Sequence, residues 1–116
     1  MFFKLDNNIW QYLFSLVKDE EKVKWLYSQA SWETAFEGKP FNSNLWKTKN
    51  NPGGIVYAAL PLQFNSAIGQ PENPMVKYAY YHSWKDGLYS MFIRVRRSIF
   101  TACCLKDYIK KLRDTV

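Results

Sequence analysis

Residues 19–40, DEEKVKWLYSQASWETAFEGKP, decide how this chain is organised. Asp19 is suited to cap a helix, because its short side chain accepts a bond from an unpaired amide of the first turn. Glu20 and Glu21 follow and place negative charge at the positive end of the helix dipole. Val23, Leu26, Tyr27 and Ala30 recur at the spacing of one helical face, and the helix must stop at Gly38-Lys39-Pro40. Glu33 lies just beyond Ala30, on or next to the same face. The segment therefore predicts a core helix that delivers a carboxyl to its own end, half inside and half outside the interior.

On the N-terminal side, Ile9, Tyr12, Leu13, Leu16 and Val17 predict a first amphipathic helix ending near Lys18. On the C-terminal side, residues 41–54 turn to Asn, Lys, Pro and Gly, with Asn50-Asn51-Pro52-Gly53-Gly54 as the strongest turn signal. Two β-type runs, Ile55 to Leu60 and Met75 to His82, then predict a small hairpin lobe joined by a long loop containing Pro61, Gly69, Pro71 and Pro74. Ser83 and Asp86 form a capping box for a helix carrying Trp84, Leu88, Met91, Phe92, Val95 and Ile99. A last amphipathic segment, Leu105 to Leu112, has Leu105, Tyr108, Ile109 and Leu112 as its apolar side. The expected fold class is α+β, mainly α, in a single domain over residues 1–116, without internal repeats.

Length and composition bound the function. A chain of 116 residues holds one modest core. Apolar residues are 47% and charged residues 22%, while aromatic residues reach 18%, so global disorder is excluded. No apolar run approaches the roughly 18 to 20 residues of a membrane span. Met1-Phe2-Phe3-Lys4-Leu5-Asp6 turns polar too early for a signal peptide. Cys103 and Cys104 are adjacent, which disfavours a bridge between them, and His82 is the lone histidine, so neither a disulfide framework nor a metal site is expected. The net charge of +6 is concentrated after residue 90, where Arg94, Arg96, Arg97, Lys106, Lys110, Lys111 and Arg113 face only Asp107 and Asp114. That excess is either a solvated helix face or a surface for a polyanion such as nucleic acid or a bacterial wall.

Three segments resemble one family. Ala30-Ser31-Trp32-Glu33-Thr34-Ala35-Phe36 is similar to the Ala-x-x-Glu-[Ser/Thr]-[Gly/Ala]-aromatic segment of bacterial N-acetylglucosaminidases of the flagellar-muramidase and autolysin type. Asn44-Leu45-Trp46 and Asn50-Asn51-Pro52-Gly53-Gly54-Ile55 resemble that family's Asn-Leu-Phe and Asn-Asn-Pro-Gly-Gly turns. Tyr78-Ala79-Tyr80-Tyr81-His82-Ser83-Trp84-Lys85-Asp86-Gly87 resembles its Tyr-Ala-x-Tyr-x-Ser-Trp-x-[Glu/Asp]-[Gly/Ser] segment. The chain departs from the pattern at Lys47, where members often have Gly, and at His82, where they often have Asp or Glu. Set against the family, the chain reaches Val116 without the residues that usually close the domain, and the resemblance implies a C-terminally minimal form.

The resemblance implies a lysozyme-like helical domain that cleaves the β-1,4 bond between N-acetylglucosamine and N-acetylmuramic acid in peptidoglycan, with no metal or organic cofactor. It puts the general acid at Glu33, whose apolar neighbours Trp32, Ala35 and Phe36 favour a raised pKa. Glycosidic oxygen is a poor leaving group until such an acid protonates it. Glu72, 39 positions later, is the candidate second carboxylate, in surroundings that equally suit an exposed loop tip. Tyr78 and Tyr81 match tyrosines near the acid, although strand alternation puts them on opposite faces. Trp32 is either a sugar platform or a packing residue, and Asn44, Asn50 and Asn51 either bind glycan or shape turns. The expected partner is the peptidoglycan glycan strand, with no nucleic acid and no membrane span. Without an export signal the chain suits a phage lytic enzyme, in the virion or host cytoplasm before it reaches the wall. The alternative is a non-catalytic phage virion, tail or wall-binding protein that keeps the fold.

Overall fold

The computed structural model describes residues 5–114. Met1 to Lys4, on which the reading of the N-terminus as leaderless partly rests, lie outside the described residues, as do Thr115 and Val116. Helix α1 (Asn7–Val17) starts where the Asp6 side chain accepts from Ile9 N at 3.1 Å, and ends at Lys18, which adopts the left-handed conformation. The chain turns at once into α2 (Glu20–Glu33), capped by Asp19, whose carboxylate accepts from Lys22 N at 2.9 Å. The remaining elements are α3 (Asn44–Lys49), β1 (Phe64–Gly69), β2 (Lys77–Tyr80), α4 (Trp84–Thr101) and α5 (Leu105–Asp114). The fold is mainly helical, with one small antiparallel sheet of β1 and β2.

Leu13 of α1, Val23, Leu26 and Ala30 of α2, and Leu88 and Ile99 of α4 are closed to solvent and form the helical core. Ser83 caps α4 by accepting from Asp86 N at 3.1 Å, as the capping box predicts. Tyr81, Ala79 and Ile55 extend the same core under the sheet, so the β lobe is anchored to the helices through one side of β2.

Four elements depart from the sequence expectation. Helix α2 stops at Glu33, short of Gly38, because Thr34 takes over its end. The Thr34 hydroxyl donates to Ala30 O at 2.7 Å and accepts from Phe41 N at 2.8 Å, while the Thr34 carbonyl accepts from Asn42 N and Ser43 N. Second, the polar segment expected to be turn contains α3, which Ser43 caps and Asn50 ends in the left-handed conformation.

Third, the hairpin partner of β2 is Phe64–Gly69, not Ile55 to Leu60. Residues 55–57 make a single bridge, Val56 to Tyr78, on the other edge of β2. Beyond it the Gln63 side chain takes the Ala58 and Leu60 amides, and Pro61 has no amide to offer a ladder. Fourth, α5 buries Tyr108 and rests Leu112 on the core but leaves Leu105 and Ile109 exposed, so its apolar stripe is narrower than its sequence suggests.

Candidate active site

Thr34 fixes the end of α2, and with it the point from which the Glu33 side chain departs. That side chain lies on the Asn50-Asn51-Pro52-Gly53-Gly54 turn. A Cβ built on Gly53 would collide with Glu33 Oε2, so glycine is what lets the carboxyl settle there. The turn is also wedged against α4, where a Cβ on Gly87 would strike the Asn50 carbonyl, and against β2, where Tyr78 Cε1 lies 3.7 Å from a Cβ placed on Gly54. The end of α2 thus rests on the turn, and the turn itself rests on α4 and β2.

Asn51 holds the turn in this shape. It is fully buried, its Nδ2 donates to Ile55 O at 2.8 Å and Ala79 O at 2.9 Å, and its Oδ1 accepts from Ile55 N at 2.9 Å and Gly53 N at 3.3 Å. Asn50 Nδ2 donates to Tyr81 O at 2.8 Å. Asn51 is wholly committed to shaping the turn and has no surface to offer a glycan, whereas Asn50 is half-buried and ties the turn to Tyr81 through one bond.

Glu33 as a whole residue is exposed, whereas its carboxyl is shielded by Gly53. The shielding at the carboxyl governs its proton affinity, and desolvation raises its pKa above the ordinary value. The Arg94 guanidinium and then a hydrogen bond from the Gln29 side chain, one helical turn earlier, oppose that rise without cancelling it. Gln29 is itself held from the other side, because the buried Tyr108 hydroxyl of α5 donates to its Oε1 at 2.6 Å. The Tyr108 hydroxyl is pushed well above its usual range, first by burial and then by the negative charge of Glu33. Tyr108 and Gln29 thus tie α5 to α2 one helical turn before the acid.

Beside Gly54 a cleft of about 520 Å³ opens between residues 54–63 and α4. Its walls include Ile55, Leu60, Leu62 and Ile93, and Arg94 stands at its edge. No helix among the described residues is long and apolar enough to cross a membrane, and no His, Cys, Asp or Glu cluster among them is suited to a metal ion.

The other sequence candidates are dispersed. Trp32 is 82% exposed beside the acid. Asn44 is exposed at the start of α3. Tyr78 is half-buried against Gly54. Tyr81 is closed to solvent, and its hydroxyl accepts from Gln63 Nε2 at 3.1 Å, which makes it a core residue without a surface to offer a sugar. Glu72 is exposed in the turn that joins β1 to β2, and the charge that acts on Glu33 is Arg94. Sequence reasoning missed Gln29, Thr34, Gly53 and Tyr108 as supports of the acid, and Arg94 as its neighbour. Gln29 alone left a trace, since it precedes Glu33 by the four positions that align side chains on a helix.

The chain matches no family model, no curated protein and no solved structure.

Proposed function

We propose that the protein is a peptidoglycan hydrolase of lysozyme-like design that cleaves the β-1,4 bond between N-acetylglucosamine and N-acetylmuramic acid. One observation carries this reading: the Glu33 carboxyl, at the end of a core helix, lies on the turn at residues 50–54, and a second resembling segment, residues 78–87, packs on that same turn. An acid so placed keeps its proton to higher pH than a free glutamate, as protonation of a glycosidic oxygen requires.

Glu33 donates its proton to the leaving oxygen as the bond to the anomeric carbon breaks, and positive charge develops on that sugar ring. Water then attacks the anomeric carbon, and a second group must hold it or receive its proton. Glu72 on the hairpin turn and a water held by Tyr78 are the two candidates for that role. Trp32 offers its exposed ring face to the apolar C–H surface of a sugar. A phage lytic enzyme is the setting that this activity suits.

Digestion of purified peptidoglycan by the parent and by Glu33→Gln tests the reading, with reducing ends identified by mass spectrometry. N-acetylglucosamine ends from the parent and none from the variant are expected. Equal release from both, or none from either, overturns it.

The exposed position of Glu72 favours one second reading, a virion or wall-binding protein that holds glycan without turning it over. Such a protein sediments with cell walls in the same assay and releases nothing.

A further inference from the structure

The cleft beside Gly54 has an unusual combination of surfaces. Most of its lining is aliphatic, yet the Arg94 guanidinium at its edge has no carboxylate within 4 Å among the described residues, where the one ion pair joins Lys24 to Glu21. The lining contains no acid. Gln63, which also lines it, is spent on the Ala58 and Leu60 amides, the Val56 carbonyl and the Tyr81 hydroxyl. Gln70, Tyr89 and Ser90 bring further polar side chains to the wall.

An apolar trough with one unpaired cation fits a ligand with an aliphatic body and a carboxylate. Guanidinium recognises carboxylate through paired N–H donors, with a strength and directionality that neutral donors lack. We infer that this cleft is a specificity subsite for the carboxylate-bearing lactyl and peptide substituent of a muramyl sugar, bound through Arg94, and that it discriminates against unsubstituted N-acetylglucosamine chains. The identity of the sugar rests on the hydrolase reading, whereas the preference for a carboxylate rests on the cleft itself.

Gly54 links the two sites. It lines the cleft and follows Gly53, on which the Glu33 carboxyl lies. A substituent held by Arg94 therefore lies next to the acid, and binding there positions the adjoining glycosidic bond.

The test is a titration of the isotopically labelled full chain, followed by NMR, with two probes: N-acetylmuramyl-L-alanyl-D-isoglutamine, which carries a carboxylate, and neutral diacetylchitobiose. The wild type is expected to bind the muramyl peptide at least about tenfold more tightly, the discrimination of one charge-assisted contact. Shifts should centre on Tyr89, Ser90, Ile93 and Gly54. Arg94→Gln should reduce muramyl peptide affinity to the level of chitobiose, and Arg94→Lys should recover part of it. Because Arg94 is exposed, both variants are expected to fold, and their backbone spectra check this. Equal affinity of the wild type for the two probes overturns the inference, and so does a preference that survives Arg94→Gln. Discrimination without hydrolysis in the Glu33 assay removes the hydrolase reading and keeps the subsite. Hydrolysis without discrimination does the reverse.

Discussion

A shielded carboxyl is a liability to the fold before it is a tool. Folding raises the pKa of Glu33, so the folded state binds its proton more tightly than the unfolded state does. Above the unfolded carboxyl value of about 4.3, ionisation is disfavoured in the fold and stability is lost; below it both states are protonated and the loss disappears. Glu33→Gln is therefore expected to raise the melting temperature at pH 7 and to lose that advantage below about pH 4. Melting curves of both proteins across that range check the sign. Arg94 opposes the rise, so its removal moves the acid further up. On the hydrolase reading a general acid works only while protonated, and kcat/KM for Arg94→Gln on peptidoglycan should fall off at higher pH than for the wild type. A pH–rate profile whose alkaline limb does not move contradicts this placement of Arg94. Gly53 offers a separation of stability from activity. The obstacle to Gly53→Ala is the flexible end of Glu33, so the carboxyl gives way and the backbone stays. Misplacing a reacting group by about 1 Å costs on the order of 100-fold in rate. Gly53→Ala should lose about that much in kcat while its melting temperature stays within a few degrees, as paired activity and melting measurements would show.

Elements align the acid through contacts that no single element contains. Helix α2 was legible in full at its start, from Asp19, Glu20 and Glu21, and nearly so at its end. Its last turn was misjudged because Thr34 is bonded to Phe41, seven positions on, and a helical pattern carries no sign of that closure. The hairpin was read with the wrong partner for a related reason. Asn65, Ser66 and Gly69 have low β preference, whereas Ile55 to Leu60 is rich in β formers and is claimed by Gln63 instead. Asn51 was legible as a turn residue but not as the clasp between the turn and β2. Removing a buried amide that makes four hydrogen bonds leaves backbone groups unpaired, and Asn51→Ala is expected to cost about 2–4 kcal/mol by chemical denaturation. Tyr108 joins α5 to α2 in the same way. Tyr108→Phe keeps the ring stacked on Trp25, 5.7 Å between centroids, and removes only the donor to Gln29. The expected cost is about 1 kcal/mol of stability, read by chemical denaturation.

At the scale of the whole molecule the basic charge falls in two places that composition could not separate. Arg94 belongs to the cleft, far in sequence from the carboxyl that it influences, and no local pattern couples residues so distant. Three of the other six cations after residue 90, Lys106, Lys110 and Arg113, line one shallow hollow on α5 with Asp107 and the exposed Ile109. None of these cations is in an ion pair among the described residues. Their plainest physical effect is long-range attraction of a polyanion, which on the hydrolase reading is the bacterial wall. Such attraction extends about 10 Å at 0.1 M salt and about 3 Å at 1 M, so it should be strong in dilute buffer and weak in concentrated salt. Replacing Lys106, Lys110 and Arg113 together by Glu changes the charge by two units at each site and brings the net charge from +6 to zero. Co-sedimentation with purified walls at low salt should then drop severalfold, and wild type and variant should converge as salt approaches 1 M. A deficit that persists at high salt would assign these side chains direct contacts with the wall, whereas no deficit at low salt would leave the patch as an ordinary solvated helix face.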